Sequence, residues 1–397
     1  MKVSIIYLFL TFLRIGATSW GGFMSLVSML QKRMSEKDGK IKNETILEGI
    51  SLTSVLPGSM EVNMVSFIGY KLGGIKGAFV SVVAVLLPSF ILMLVLSHFY
   101  LKFENIPAMN HFFTGALPAV AAVIISAAVS MGEKNIKDWP QGIIAIAAAA
   151  VVAFSKSYLT TLAILIVSGL IGYFYYHQQK SAKTIKKEKK EVQVLEKAGK
   201  GITYSIILIT AVGALVFFYN GQNVLLNLHR QIFLTFSTMS LTQFGGGYVI
   251  IPTIQKIIVN GMKWMNNREF ADAIAMTHIT PGSVFISSAF IGYKLSGFWG
   301  ALSATISIFL PPAILTIICT RFFNQISKST TLAAVFKGLR AAIIGIIVSA
   351  AYTMMANNGF TVFTMVVFIS TQLLLMRFKI EPVFLIPVAG AAGLLIL

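Results

Sequence analysis

The sequence predicts an all-α integral membrane protein of about 13 transmembrane helices, built as two homologous inverted repeats that each contain a helix broken at Pro-Gly. Three observations carry that prediction. Of the 397 residues, 56% are hydrophobic and 12% charged, and the mean hydropathy is +0.80. A soluble domain keeps about 25% charged residues to wet its surface. Apolar runs of about 17 to 25 residues, enough to cross about 30 Å of hydrocarbon as helix, recur along nearly the whole chain, and no ten-residue alternation suggests a barrel. Finally, "LPGSMEVNMVSFIGYKLGGIKGA" (Leu56 to Ala78) returns as "TPGSVFISSAFIGYKLSGFWGA" (Thr280 to Ala301).

In chain order, the first half supplies six apolar runs, near 3–30, 45–71, 75–100, 110–131, 139–155 and 157–177. The opening "MKVSIIYLFLTFL" resembles a signal peptide. Its "FLTF" at Phe9 to Phe12 returns as Phe233 to Phe236, deep inside the chain, so it is read as a retained span. A polar stretch from Gln178 to Lys200 follows with eight lysines, then one apolar run at 202–220. The second half supplies runs near 231–256, 269–292, 297–321, 333–356, 360–377 and 381–397. The chain therefore divides into an N-terminal repeat (1–177), a cytoplasmic Lys-rich linker with a connecting helix (178–222) and a C-terminal repeat (223–397).

The register of the repeat is tight. At an offset of 224, Trp20-Gly21-Gly22 falls on Phe244-Gly245-Gly246, Gln31-Lys32 on Gln255-Lys256, Glu48 on Asp272 and Pro57-Gly58-Ser59 on Pro281-Gly282-Ser283. After one deleted residue the offset is 223, carrying Phe67 to Leu72 onto Phe290 to Leu295, Leu87-Pro88 onto Leu310-Pro311 and Gly115 onto Gly338. Six spans plus the linker span make an odd number, which inverts the second half. With a cytoplasmic N-terminus, 20 loop cations lie inside and nine outside, five of the nine within Lys32 to Lys42. That is the orientation favoured by the positive-inside rule, with 32–42 as the dissenting loop. If 45–71 and 269–292 were re-entrant hairpins instead, parity would change and the halves would be parallel.

Proline and glycine inside a helix together cost several kcal/mol, and in lipid such a break survives only where protein or a water-filled cavity satisfies the freed backbone. Equivalent breaks in inverted halves are the layout of a secondary transporter's midplane site. Helices restarting after the breaks offer unpaired N–H groups and a positive dipole end to an anion. The expected binding residues are Arg14, Gly21, Gly22, Pro57, Gly58, Ser59, Asn63, Gly245, Gly246, Gly247, Pro281, Gly282 and Ser283. The glycine runs also admit a plain packing role. Arg14 either neutralises a dianion or snorkels to the interface, and Lys337 and Arg340, at the start of a span, read as interfacial. Glu48 and Asp272, each nine residues before a break proline, form a symmetric pair for proton coupling or else favour a helix start. Glu61, His278, Thr280, Ser287 and Ser288 flank the breaks. Neither metal nor cofactor is expected: Cys319 is the single cysteine, the other histidines lack ligand spacing, and no Walker motif points to ATP.

"SLTQFGGGYVIIPTIQ" (Ser240 to Gln255), Trp264, Asp272, the second Pro-Gly phrase and "FLPP" (Phe309 to Pro312) resemble the second half of the chromate ion transporters. "GATSWGGFMSLVSMLQ", the first Pro-Gly phrase and "LLPS" resemble their first half. Ser59 and Ser283 stand where that family usually has proline, and Phe23 follows Gly21-Gly22 with no histidine nearby. The resemblance implies two inverted domains in the cell membrane that export chromate from the cytoplasm, with sulfate as chemical analogue. The partners expected are thus a small inorganic oxyanion, a coupling proton or ion and the lipid bilayer, not nucleic acid; a homodimer is one compatible assembly. Alternatives are uptake of sulfate or another small anion, or an integral-membrane enzyme, for which convergent acid–base residues are missing.

Overall fold

The computed structural model describes residues 3–20, 22–54, 56–103, 107–155, 158–180, 224–243, 247–321 and 330–396. The connecting run at 202–220 and most of the lysine linker lie outside them. The described residues are helical throughout, without strands. In the first half come α1 (Ile5–Thr18), α2 (Phe23–Leu30) prolonged by a π-helical turn (Gln31–Lys37), α3 (Asn43–Thr53), α4 (Met60–Phe103), α5 (Pro107–Asn135), α6 (Trp139–Phe154) and α7 (Tyr158–Lys180). The second half has α8 (Val224–Thr242), α9 (Ile250–Ile254) with its π turn (Gln255–Gly261), α10 (Asn267–Ile279), α11 (Ser287–Arg321), α12 (Thr330–Asn358), α13 (Val362–Arg377) and α14 (Pro382–Ile396). The sequence repeat is thus a repeat of structure down to its irregularities. Both π turns start at the equivalent glutamine, and non-helical backbone interrupts α4 at Gly74 (φ 63°) and α11 at Gly297 (φ 57°).

Local chemistry sets several ends. Asp138 caps α6 by accepting from the Gln141 amide at 3.2 Å, and Asn266 with Glu269 forms a capping box on α10. Four helical stretches have the length and apolarity to cross a membrane: Met60–Phe103, His111–Glu133, Val284–Thr320 and Ala334–Ala356. Shorter apolar helices accompany them. This is a multi-pass membrane protein.

The stretches expected as the first two spans of each half double back instead of running through. The Tyr7 hydroxyl donates to Asp38 at 2.6 Å, although a continuous helix would hold residues 31 positions apart about 45 Å from each other. Thr18 likewise touches Met29. Across the Pro57-Gly58 break, Lys71 pairs with Glu48 at 3.4 Å and Gly49 packs on Met64 and Phe67. In the second half the Phe236 and Trp264 rings lie 6.5 Å apart, and Lys294 pairs with Glu269. Each half therefore begins with two helical hairpins, the first turning between α1 and α2 or between α8 and α9 and the second at the Pro-Gly break. Hydropathy mistakes such hairpins for single spans because both legs are apolar and their summed length suits one crossing.

At Gly74 and Gly297 the chain reverses again, bringing Gly69 onto Gly77 and Gly292 onto Gly300. The remainder of α4 then links the two sets of hairpins. Its Gly77 lies at the base of the first-half hairpins, Ser89 faces the Gly282 tip, and His98 contacts the Tyr293 hydroxyl at 3.0 Å near the base of the second-half hairpin. The corresponding part of α11 meets the Gly58 tip with Pro312, and Ser66 donates to the Ala313 carbonyl at 3.0 Å. One apolar core, including Leu8, Phe12, Leu30 and Phe67, belongs to the first hairpins; a larger one joins the second hairpins to α5, α6, α12 and α14.

Candidate functional site

The two Pro-Gly tips meet. Ser59 donates to the Ser283 hydroxyl at 3.0 Å, joining residues 224 positions apart that the repeat makes equivalent. The Gly58 amide donates to the Gln243 carbonyl at 2.7 Å, and the Gly282 amide to the Ser19 carbonyl at 3.1 Å. Ser19 and Gln243 are themselves equivalent. Each Pro-Gly tip is thus pinned to the residue that closes the first helix of the opposite half. Only glycine serves there: φ is 90° at Gly58 and 94° at Gly282, and a Cβ on Gly58 would run into Pro312. Asn63 braces its own tip by donating to the Pro57 carbonyl at 2.8 Å.

A cavity of about 710 Å³ adjoins the tips. Trp20, Gly22, Ser59 and Glu61 line it from the first half, and Gly247, Tyr248, His278, Gly282, Ser283 and Arg340 from the second. It continues past Ser126 and Ser130 of α5 to Asn135 and to Glu381, an exposed residue before α14. A larger hollow of about 1020 Å³ beside Lys256, Trp264 and Lys294 contains none of the expected binding residues.

The polar wall of the smaller cavity is chemically uneven. Arg340 is half-buried on α12, with no ion-pair partner among the described residues. Glu61, in the first turn of α4, sets Oε1 beside Gly22, 3.5 Å from where a Cβ on that glycine would stand. It interacts with the Ser283 side chain, while its Oε2 is sealed from solvent without a hydrogen-bond partner. His278 donates from Nδ1 to the Ile274 carbonyl at 2.9 Å, so in the neutral ring the lone pair sits on Nε2, which is buried and unpartnered. Its ring lies 5.8 Å from that of Tyr248.

Of the residues expected from sequence, Gly22, Ser59, Gly247, Gly282 and Ser283 line the cavity, and Pro57, Gly58, Asn63 and Pro281 are buried at the tips. Gly21, Gly245 and Gly246 lie outside the described residues. Arg14 is exposed on α1 and is not in the cavity wall. Glu48 and Asp272 stand away from the cavity in unlike surroundings. Glu48 shares its partly exposed ion pair with Lys71; Asp272 is 1% exposed and accepts from the Tyr100 hydroxyl at 2.6 Å. Glu61, Tyr248 and Arg340 are the cavity's main additions to the expected set.

The family described as "Chromate transporter" matches the chain twice, over residues 6–173 and 230–394. A "Chromate transport protein" of Cupriavidus metallidurans is 28% identical over 384 residues, covering 96% of this chain and 90% of that protein. An uncharacterized transporter of Methanocaldococcus jannaschii is 24% identical over 397 residues, covering 99% and 95%. An uncharacterized transporter of Bacillus subtilis is 26% identical over 171 residues, which make up 96% of that protein but 42% of this chain. No solved structure matches the chain.

Proposed function

Because the chain belongs to the chromate transporter family, we propose that it is a secondary transporter of a tetrahedral oxyanion, chromate or its analogue sulfate, exporting it across the plasma membrane by alternating access. Arg340 carries this reading. A cation inside a membrane protein costs about 3 kcal/mol even on insertion scales, and without a carboxylate partner it is held for a negative ligand. A guanidinium binds tetrahedral oxyanions through paired N–H donors. The adjoining Ser59 and Ser283 hydroxyls and the start of α4 at Met60 add donors on the same cavity wall.

The halves are inverted on this reading. Along α4 the first-half hairpin base lies near Gly77 and the second-half base near His98, so the two sets of hairpins enter from opposite faces and touch at their tips. Rocking one half against the other would then part the Ser59–Ser283 contact. The cavity reaches Asn135 and Glu381, in the segments that carry Lys137, Arg377 and Lys379. The positive-inside rule makes those segments cytoplasmic, so the site loads from the cytoplasm, which favours export.

Uptake of labelled chromate and sulfate into inverted membrane vesicles tests the reading. Saturable uptake of one anion, competed by the other, is expected, with apparent affinity about ten- to hundredfold weaker in Arg340→Gln, the cost of one charged hydrogen bond. Absence of saturable uptake of both anions overturns it.

A further inference from the structure

We propose that Glu61 is a resident anion in the oxyanion cradle, so that substrate binds only when this carboxyl has taken up a proton. The inference rests on the reading above and assigns the coupling proton to a residue. Three observations converge on it. Glu61 shares the cavity wall with Arg340 and the two serines. Its Oε1 lies against Gly22, at the tip of the first hairpin. Ser59 donates to the Ser283 hydroxyl at 3.0 Å, and the Ser283 side chain neighbours the Glu61 carboxyl, so a Ser283 hydroxyl that already accepts from Ser59 has its own proton to offer that carboxyl. One of the donors that would hold an oxyanion, the Ser283 hydroxyl, is therefore poised to serve a tethered one.

An ionised Glu61 and a dianion would set like charges in one confined, weakly screened space. Protonation removes that repulsion and releases the Ser283 hydroxyl. The buried Oε2, which has no partner, is the atom that takes the proton. The other titratable groups of this cavity are Tyr248, His278, Arg340 and, at its mouth, Glu381. Arg340 stays charged throughout, and His278 is the group whose titration has to be told apart from that of Glu61.

Sulfate is the probe, because it remains a dianion across the neutral range and any pH dependence then belongs to the protein. Binding to the purified full chain is measured by calorimetry from about pH 6 to about pH 8 in buffers of different ionisation enthalpy, which report proton uptake. The wild type is expected to bind more weakly as pH rises, by up to about tenfold per pH unit, with about one proton taken up per sulfate. Glu61→Gln is expected to bind with no proton uptake and a flat profile. Glu61→Asp and His278→Gln are expected to keep both the slope and the uptake. If Glu61→Gln retains the wild-type slope, or if Glu61→Gln loses binding at every pH while Glu61→Asp keeps it, the proposal is overturned and the oxyanion reading stands. If the wild type binds neither sulfate nor chromate, both fall together.

Discussion

Arg340, Glu61 and Tyr248 decide the chemistry of the cavity, and each lacks a counterpart in the other half. By the register of the repeat Arg340 corresponds to Leu117, Tyr248 to Met24 and Glu61 to Val284 or Phe285. A reading guided by repetition finds the symmetric scaffold, which is why Ser59, Ser283 and the Pro-Gly pairs stand out in the sequence while Tyr248 does not, Arg340 reads as interfacial and Glu61 reads only as a residue flanking the break. The symmetric carboxylates Glu48 and Asp272 show the converse, since equivalent positions ended in a surface ion pair and a buried tyrosine contact. Glycines sort by the same local logic. Alanine at Gly58 meets both a positive-φ backbone and the ring of Pro312, whereas at Gly74 (φ 63°, ψ −153°) it faces open space and costs only the strain of a backbone region that favours glycine, about 1 to 3 kcal/mol. Thermal unfolding in detergent should therefore fall markedly further for Gly58→Ala than for Gly74→Ala. Equal shifts would mean that the tip is not packed as described.

At the scale of elements, the signals for helix and for break were correct, but the direction of the chain after each break was not in the pattern. Residues 3–30 and 45–71 have the length and apolarity of single spans, and a window over hydropathy cannot tell one crossing from two shorter antiparallel legs. What separates them is long-range pairing: Tyr7 with Asp38, Glu48 with Lys71. Such pairs follow from tertiary packing around Gly22 and Gly58, whose φ values of 77° and 90° turn the chain. A double variant, Tyr7→Cys with Asp38→Cys in a Cys319→Ser background, should be joined by a short bifunctional thiol reagent. Its partner pair, Tyr7→Cys with Trp20→Cys, lies at the two ends of α1 and should not be joined by the same reagent. If the first double variant resists cross-linking, the run crosses the bilayer after all.

For the whole molecule, replacing two crossings by two hairpins in each half leaves the parity argument intact. On the proposed reading each half would contribute four through-running segments: the part of α4 or α11 beyond its kink and the three helices that follow. Counting the apolar run at 202–220 as a further crossing, as the sequence predicts, the proposed arrangement keeps the second half inverted. The change also relocates charge. The proposed arrangement would put Lys32, Arg33, Lys37, Lys40 and Lys42 on the cytoplasmic side and Lys256, Lys263 and Arg268 on the opposite side, so that the loop at odds with the positive-inside rule would obey it. Two single-cysteine variants in the Cys319→Ser background separate the arrangements. Lys40→Cys, in the turn after the first π helix, should react with a membrane-impermeant maleimide only in inside-out vesicles. Met262→Cys, the residue following the second π turn, should react only in intact cells. Labelling of both from one side would make the halves parallel, and with them the two sets of hairpins would have to descend from the same face. The Ser59–Ser283 contact would then no longer mark a midplane between two facing gates, and alternating access by rocking inverted halves would have to be replaced by a mechanism with a single gate.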